Sequence, residues 1–178
     1  YIPQSLSTTL NVTSREYINM GLLSRLGLLG FPTKEDNERT TRILDRMGIS
    51  YLANRSVSVL SGGELRKVAL ARAAVQGAST LVLDEVYGPL DISAILEVRG
   101  IIESLGASKG LVIFTTHDIQ TALCADKVLL VYSDVSVEKK KKNGISNTML
   151  NRVYDIPFKS QKMDSIVTEC NWLASKSF

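Results

Sequence analysis

Soft metal ligands are scarce in this chain: one histidine, His117, and two cysteines, Cys124 and Cys170, among 178 residues. A single histidine excludes a His-rich zinc site. The cysteines lie far apart with no CxxC spacing and are expected as free thiols in a reducing cytoplasm. No apolar run approaches the ~18 residues of a membrane span. The N-terminal Tyr1-Ile2-Pro3-Gln4 has no basic n-region and no initiator Met, so no signal peptide is expected. The GxSxG elbow that a Ser/His/Asp hydrolase would need is absent, which removes the obvious rival use of His117. A net charge of +3 is too small to argue for nucleic acid, although it would not oppose an anionic ligand. The length suggests one domain with room for a sizeable core.

What is present centres on Leu60-Ser61-Gly62-Gly63-Glu64. Ser61 and Glu64 have the spacing of a capping box, in which the hydroxyl accepts from the Glu64 N–H and the carboxylate reaches back. Leu65, Val68, Ala71 and Val75 then fall on one helical face, with Arg66, Lys67 and Arg72 between them. Gly62 and Gly63 leave backbone N–H groups uncovered where the helix dipole adds partial positive charge. That suits a phosphate, although an ordinary capped helix after a glycine turn has the same spacing. Thr80-Leu81-Val82-Leu83 reads as a buried parallel strand ending in Asp84-Glu85, the place where open α/β sheets bind ligands. Gly110 to Thr116 reads as another buried strand, delivering His117-Asp118 at its end.

LSGGE, a helix, LVLDE, Leu90-Asp91 and a strand ending in His117 together closely resemble the ATP-binding-cassette (ABC) ATPases. The resemblance implies an α/β fold: a three-layer, mostly parallel-sheet P-loop NTPase core with an inserted α-helical subdomain. It covers residues 1–178 as a partial domain, with a helical subdomain and signature motif in 5–75, catalytic core strands in 76–132 and a C-terminal segment in 133–178. It implies ATP and Mg2+ as ligands. Asp84 would hold the Mg2+ hydration shell, Glu85 would be the general base, and His117 would contact the γ-phosphate. Gln4 would lie near Mg2+ and the attacking water. Ser61, Gly62, Gly63, Glu64 and the D-loop residue Asp91 would face nucleotide. Phosphoryl transfer suits this division, since it needs charge neutralisation and a positioned nucleophile more than covalent chemistry. No GxxxxGK[ST] phosphate loop occurs in the 178 residues, so the core is expected to be incomplete at its N-terminus and the chain inactive alone. Val86-Tyr87 and Gly88-Pro89 depart from the family's usual residues around the D-loop.

The implied partners are a second ABC ATPase domain and transmembrane permease subunits, with no nucleic acid, at the cytoplasmic face of the membrane. Arg15 to Gly21, Leu26-Gly27-Leu28 and Lys34-Glu35-Asp36 are similar to importers of the iron-chelate, cobalamin and zinc/manganese group. Met149 to Pro157 resembles the segment that follows the last helix of iron-chelate and cobalamin importers. A non-catalytic module derived from an ABC ATPase is the alternative. A DNA-repair relative would need long coiled coils before the signature, and this interval has no sustained heptads.

The remaining elements follow from local signals. Thr13/Glu16 and Thr33 followed by Glu35 and Asp36 open helices, the second stopped by Gly48, and a helix from Ile92 is expected to close at Gly106. A helix is expected through Ala122, Cys124 and Ala125. Lys127 to Tyr132 should pair with Val135 to Val137 across Ser133-Asp134, leaving Lys139 to Lys142 as a solvated loop. Ile166, Val167 and Trp172 are expected to pack.

Overall fold

The computed structural model describes residues 1–154 except Ser7, Leu28, Leu29, Pro89, Asp91, Lys109, Cys124, Lys142 and Asn143, together with the side chains of Ile92, Ser108 and Gln120. The expectations for Asp91, Cys124, Cys170, Ile166, Val167 and Trp172 therefore lie outside the described residues. The chain forms two units, 1–115 and 116–178. The boundary falls inside the segment 76–132 that the sequence groups together.

The first unit begins with helices whose starts are local. Thr13 caps α1 (Ser14–Asn19) in a full capping box with Glu16, and Thr33 caps α3 (Lys34–Arg46) in one with Asp36. Between them a 3-10 turn over Met20–Leu22 leads into the single turn α2 (Leu23–Leu26), which Gly27 ends at φ +71. Ser61 caps α4 (Gly62–Gln76), again with both halves of the box, and Gly77 ends it in the left-handed conformation. β1 (Thr80–Leu83) pairs in parallel with β2 (Leu111–Phe114), and α5 (Ile92–Ser108) crosses between them. Helix α5 passes through Gly106 rather than stopping there, because a lone glycine costs a helix only about 1 kcal/mol. On the other side of β1, Ile2 bridges Leu83 in parallel, so the segment leading to Gln4 runs beside the strand that leads to Asp84.

Helix α4 corrects the one-faced reading of its sequence. Leu65, Val68, Ala71 and Val75 pack with Ile18, Leu22, Leu44 and Leu52 in one apolar core. Ala69, Leu70 and Ala74 pack with Leu81, Leu83, Val98 and Ile102 in a second. Arg66 and Lys67, which fall between those apolar positions in the sequence, are 5% and 7% exposed. Each fully buried leucine or valine contributes about 1.5–3 kcal/mol, so α4 is held from both sides. The strands are covered on one face only, fully in β1 and partly in β2. Leu81 and Leu83 are covered, whereas Val82, Leu111 and Ile113 are exposed, in contrast to the expectation of buried strands.

In the second unit, Asp118 caps the single turn α6 (Ile119–Ala122), which ends before Cys124. β3 (Lys127–Val131) pairs antiparallel with β4 (Val137–Lys141), so Lys139, Lys140 and Lys141 belong to a strand and not to a loop. Val135 lies in the turn at φ +62 instead of in the strand. Met149 to Tyr154 lies within α7 (Asn147–Tyr154) rather than after the last helix. Leu123, Val128, Leu130, Tyr132, Ile145 and Leu150 form this unit's core. Among the described residues no helix is long and apolar enough to cross a membrane.

Candidate functional site

The carboxyl end of β1 gathers the acidic pair with two further polar groups. Gln4 Nε2 donates to Glu85 Oε2 at 2.5 Å. Thr115, just after β2, donates through Oγ1 to Asp84 Oδ1 at 2.6 Å and accepts from the Glu85 N–H at 3.0 Å. The Tyr1 hydroxyl donates to Asp84 Oδ2 at 3.1 Å. The parallel pairing explains this assembly: Asp84 N donates to Ile2 O and Thr115 N to Leu83 O, so three chain segments end at one level. Both carboxylates are half-buried, and Gln4 and Thr115 are exposed, so solvent or a ligand reaches the cluster.

Glu85 adopts φ +42, a left-handed conformation that is unusual for a residue with a long side chain. Its surroundings hold it there. Arg66, from the second turn of α4, donates through Nη1 to the carbonyls of Glu85 (2.9 Å) and Val86, and through Nη2 to the carbonyl of Gln4 at 2.7 Å. Burial pushes the Arg66 guanidinium below its ordinary value. The backbone also turns back, with Gly88 N donating to Glu85 O at 2.8 Å.

At the start of α4, the Glu64 carboxylate accepts from Ser61 N and Ser61 Oγ, both at 2.9 Å, and pairs with Arg55 Nη1 at 2.7 Å. The Ser61 backbone N–H, with the hydroxyl and Arg55 adding to it, holds the Glu64 carboxyl below the usual carboxylate range. Glu64 is thus turned toward its own cap. A Cβ built on Gly63 would meet Ala94 and Leu90 at 3.4 and 3.6 Å, while one on Gly62 would meet nothing within 4 Å. Packing within the chain leaves Gly62 room for a side chain, so its bare backbone stays open for close approach from outside.

The structure therefore brings Gln4, Asp84 and Glu85 together, and separately builds Ser61, Gly62, Gly63 and Glu64 into one helix start. His117 belongs to the second unit, where Tyr154 Oη donates to its carbonyl at 2.7 Å. Asp91 is outside the described residues. Sequence reasoning missed Arg66, Thr115, Tyr1 and Arg55. Thr115 had a weak signal, a hydroxyl at the end of a strand beside the acidic pair; the others had none.

The donor set suits a hydrated magnesium ion better than a protein cage. Among the described residues no cluster of His, Cys, Asp and Glu could hold a metal by itself, whereas Mg2+ takes one or two carboxylates and fills its shell with water and phosphate oxygens. Asp84, fixed by Thr115, with Gln4 nearby, offers that kind of partial shell.

The family model described as ABC transporter matches residues 1–88. The chelated iron transport system membrane protein YfeB of Yersinia pestis is 29% identical over 139 residues, covering 76% of this chain and 47% of that protein. Residues 1–88 thus carry an ABC transporter domain. The aliphatic sulfonates import ATP-binding protein SsuB 2 of Paracoccus denitrificans (strain Pd 1222) is 37% identical over 110 residues, covering 61% of this chain and 45% of that one. This ABC chain thus spans less than half the length of these two curated relatives. A solved metal-chelate type ABC transporter in an inward-facing conformation superposes with a TM-score of 0.81 at 23% identity, covering 90% of this chain and 66% of that one. That likeness carries the fold, the α/β core of a P-loop NTPase with its helical subdomain.

Proposed function

We propose that this ABC domain binds and hydrolyses Mg-ATP to drive a membrane permease. The assembly of Gln4, Asp84 and Glu85 at the end of β1 is the observation that carries this reading. Glu85 accepts a proton from the attacking water as general base, and Gln4, 2.5 Å from its carboxylate, helps to align that water. Asp84 and Gln4 would hold the magnesium ion, which when bound neutralises phosphate charge. His117 contacts the γ-phosphate. Gly62 and Gly63 offer backbone N–H groups to a nucleotide held by a second ABC domain, with Ser61 at the same helix start, and the D-loop motif gives Asp91 a nucleotide-facing role. Glu64 acts by fixing this helix start. No GxxxxGK[ST] occurs in the 178 residues, so this polypeptide alone binds ATP weakly and does not turn it over.

The cargo is proposed to be a metal ion or iron chelate, taken up from outside, with the domain at the cytoplasmic face. The iron-transport relative supports this, and the sulfonate relative supplies the competing cargo. The test is ATP hydrolysis by the full-length protein with its permease, comparing wild type with Glu85→Gln. The expected result is turnover in the wild type, lost by at least a hundredfold in the variant while nucleotide binding persists. Equal turnover in both would remove Glu85 as the base. No turnover and no nucleotide binding in the wild type would favour the non-catalytic module. Uptake of radioactive iron or manganese against an aliphatic sulfonate decides the cargo.

A further inference from the structure

We infer that Arg66 is a positioning residue linking the nucleotide-facing start of α4 to the geometry of Glu85 and Gln4. The inference rests on the function proposed above. Arg66 lies three residues after Gly63 on the same helix, and its guanidinium reaches the carbonyls of Gln4, Glu85 and Val86. These belong to the two segments that carry the water-aligning amide and the base. One of them is the carbonyl of the left-handed residue itself.

Glue alone explains this arrangement poorly. A buried side chain whose purpose is to tie elements together would be expected to satisfy all its donors, yet Arg66 Nε has no hydrogen-bond partner among the described residues. Its terminal nitrogens are committed to the turn after β1 instead. Gly88 lies against this junction: a Cβ built on it would stand 3.4 Å from both Arg66 Nη1 and Glu85 O, in van der Waals contact with each. The neighbouring Lys67 makes a useful contrast. It is as buried as Arg66, but it reaches Glu97 on α5 at 2.5 Å and touches nothing in the cluster.

The consequence is a connection between two nucleotides. In a pair of domains each ATP is covered by the α4 start of one domain and attacked from the acidic pair of the other. Within one chain, then, the α4 start faces one nucleotide while Gln4 and Glu85 face the other. Arg66 carries a displacement of α4 to the base, and coupling between sites travels through contiguous hydrogen-bonded groups of this kind.

The experiment compares Arg66→Met, Arg66→Lys and Lys67→Met with wild type in the full-length protein and its permease. It measures kcat, KM, the Hill coefficient for ATP and Tm. Arg66→Met is expected to lower kcat at least tenfold with KM within threefold, and to bring a Hill coefficient above 1 toward 1. Arg66→Lys, able to reach one carbonyl but not three, is expected to recover part of kcat. Lys67→Met is expected to lower Tm and leave kcat and cooperativity alone. If Arg66→Met folds and turns over with wild-type kcat and Hill coefficient, the inference is overturned while the function stands. The same holds if both Met variants lower Tm and kcat in parallel and lysine rescues neither. A wild type that hydrolyses no ATP overturns the proposed function and this inference with it.

Discussion

The left-handed backbone at Glu85 can be measured by comparing two substitutions at that position. Glu85→Ala and Glu85→Gly both remove the carboxylate and its bond from Gln4, so those losses cancel between them. What differs is the backbone. At φ +42 a residue with a Cβ bears roughly 1–2 kcal/mol of steric cost. Glycine escapes that cost but loses roughly 0.5–1 kcal/mol through its freer unfolded chain. The glycine variant should therefore be more stable than the alanine variant by about 0.5–1 kcal/mol. For a chain of this length, that difference raises Tm by roughly 1–4 °C. Calorimetric unfolding of the two variants under one condition reads it directly. Both variants should be inactive in the full-length protein, so the more stable enzyme would be no better a catalyst. If alanine melts at or above glycine, the left-handed turn is absent in solution, and the placement of the Glu85 carbonyl against Arg66 fails too.

Three further outcomes follow, one from the end of β1 and two from the start of α4. Thr115→Val keeps the side-chain shape but deletes the bonds to Asp84 Oδ1 and from Glu85 N. Because solvent can replace both, stability measured by urea unfolding should fall by only about 0.5–2 kcal/mol, while ATP turnover of the full-length protein should fall at least tenfold; unchanged turnover would mean that Thr115 orders nothing. The Glu64 carboxyl is held below its ordinary 4.5 by Ser61 and Arg55, so its stabilising contribution is complete above about that pH and is lost as pH falls through the lowered folded value. Acid titration of stability between about pH 5 and pH 3 should therefore be shallower in Glu64→Gln than in wild type, and Ser61→Ala should cost about 1 kcal/mol at pH 7; parallel curves would refute the cap as the source.

Features that depend on near neighbours in sequence were legible. The capping boxes at Thr13, Thr33 and Ser61 each join residues three apart, so spacing alone found them. The acidic pair was legible because it ends an apolar run. Arg66 was not, since its partners lie at positions 4, 85 and 86 and only the fold brings them to it. Its charge gave no signal of burial either, since an arginine is seldom this buried unless it is paired. Lys139 to Lys141 failed for a related reason. Charge suggested a loop, but an edge strand needs only backbone pairing, which β3 supplies, and lysines there also discourage unwanted pairing. The open face of β1 and β2 was hidden because continuous apolar runs read the same whether one face or both are covered.

The burial of α4 on both sides has a consequence for how the chain tolerates change. On α3 the buried Asp36, Thr40 and Leu44 repeat every fourth position, and exposed positions such as Glu35, Glu38 and Arg42 lie between them. On α4 the two cores and the Arg66 and Lys67 contacts use every side from Leu65 to Ala71. Substitutions there have no neutral face to land on, and the helix that presents Gly62 and Gly63 changes orientation only if two cores repack together. Sequence drift in this chain is thereby directed away from α4, into surface positions whose changes leave the helix start undisturbed.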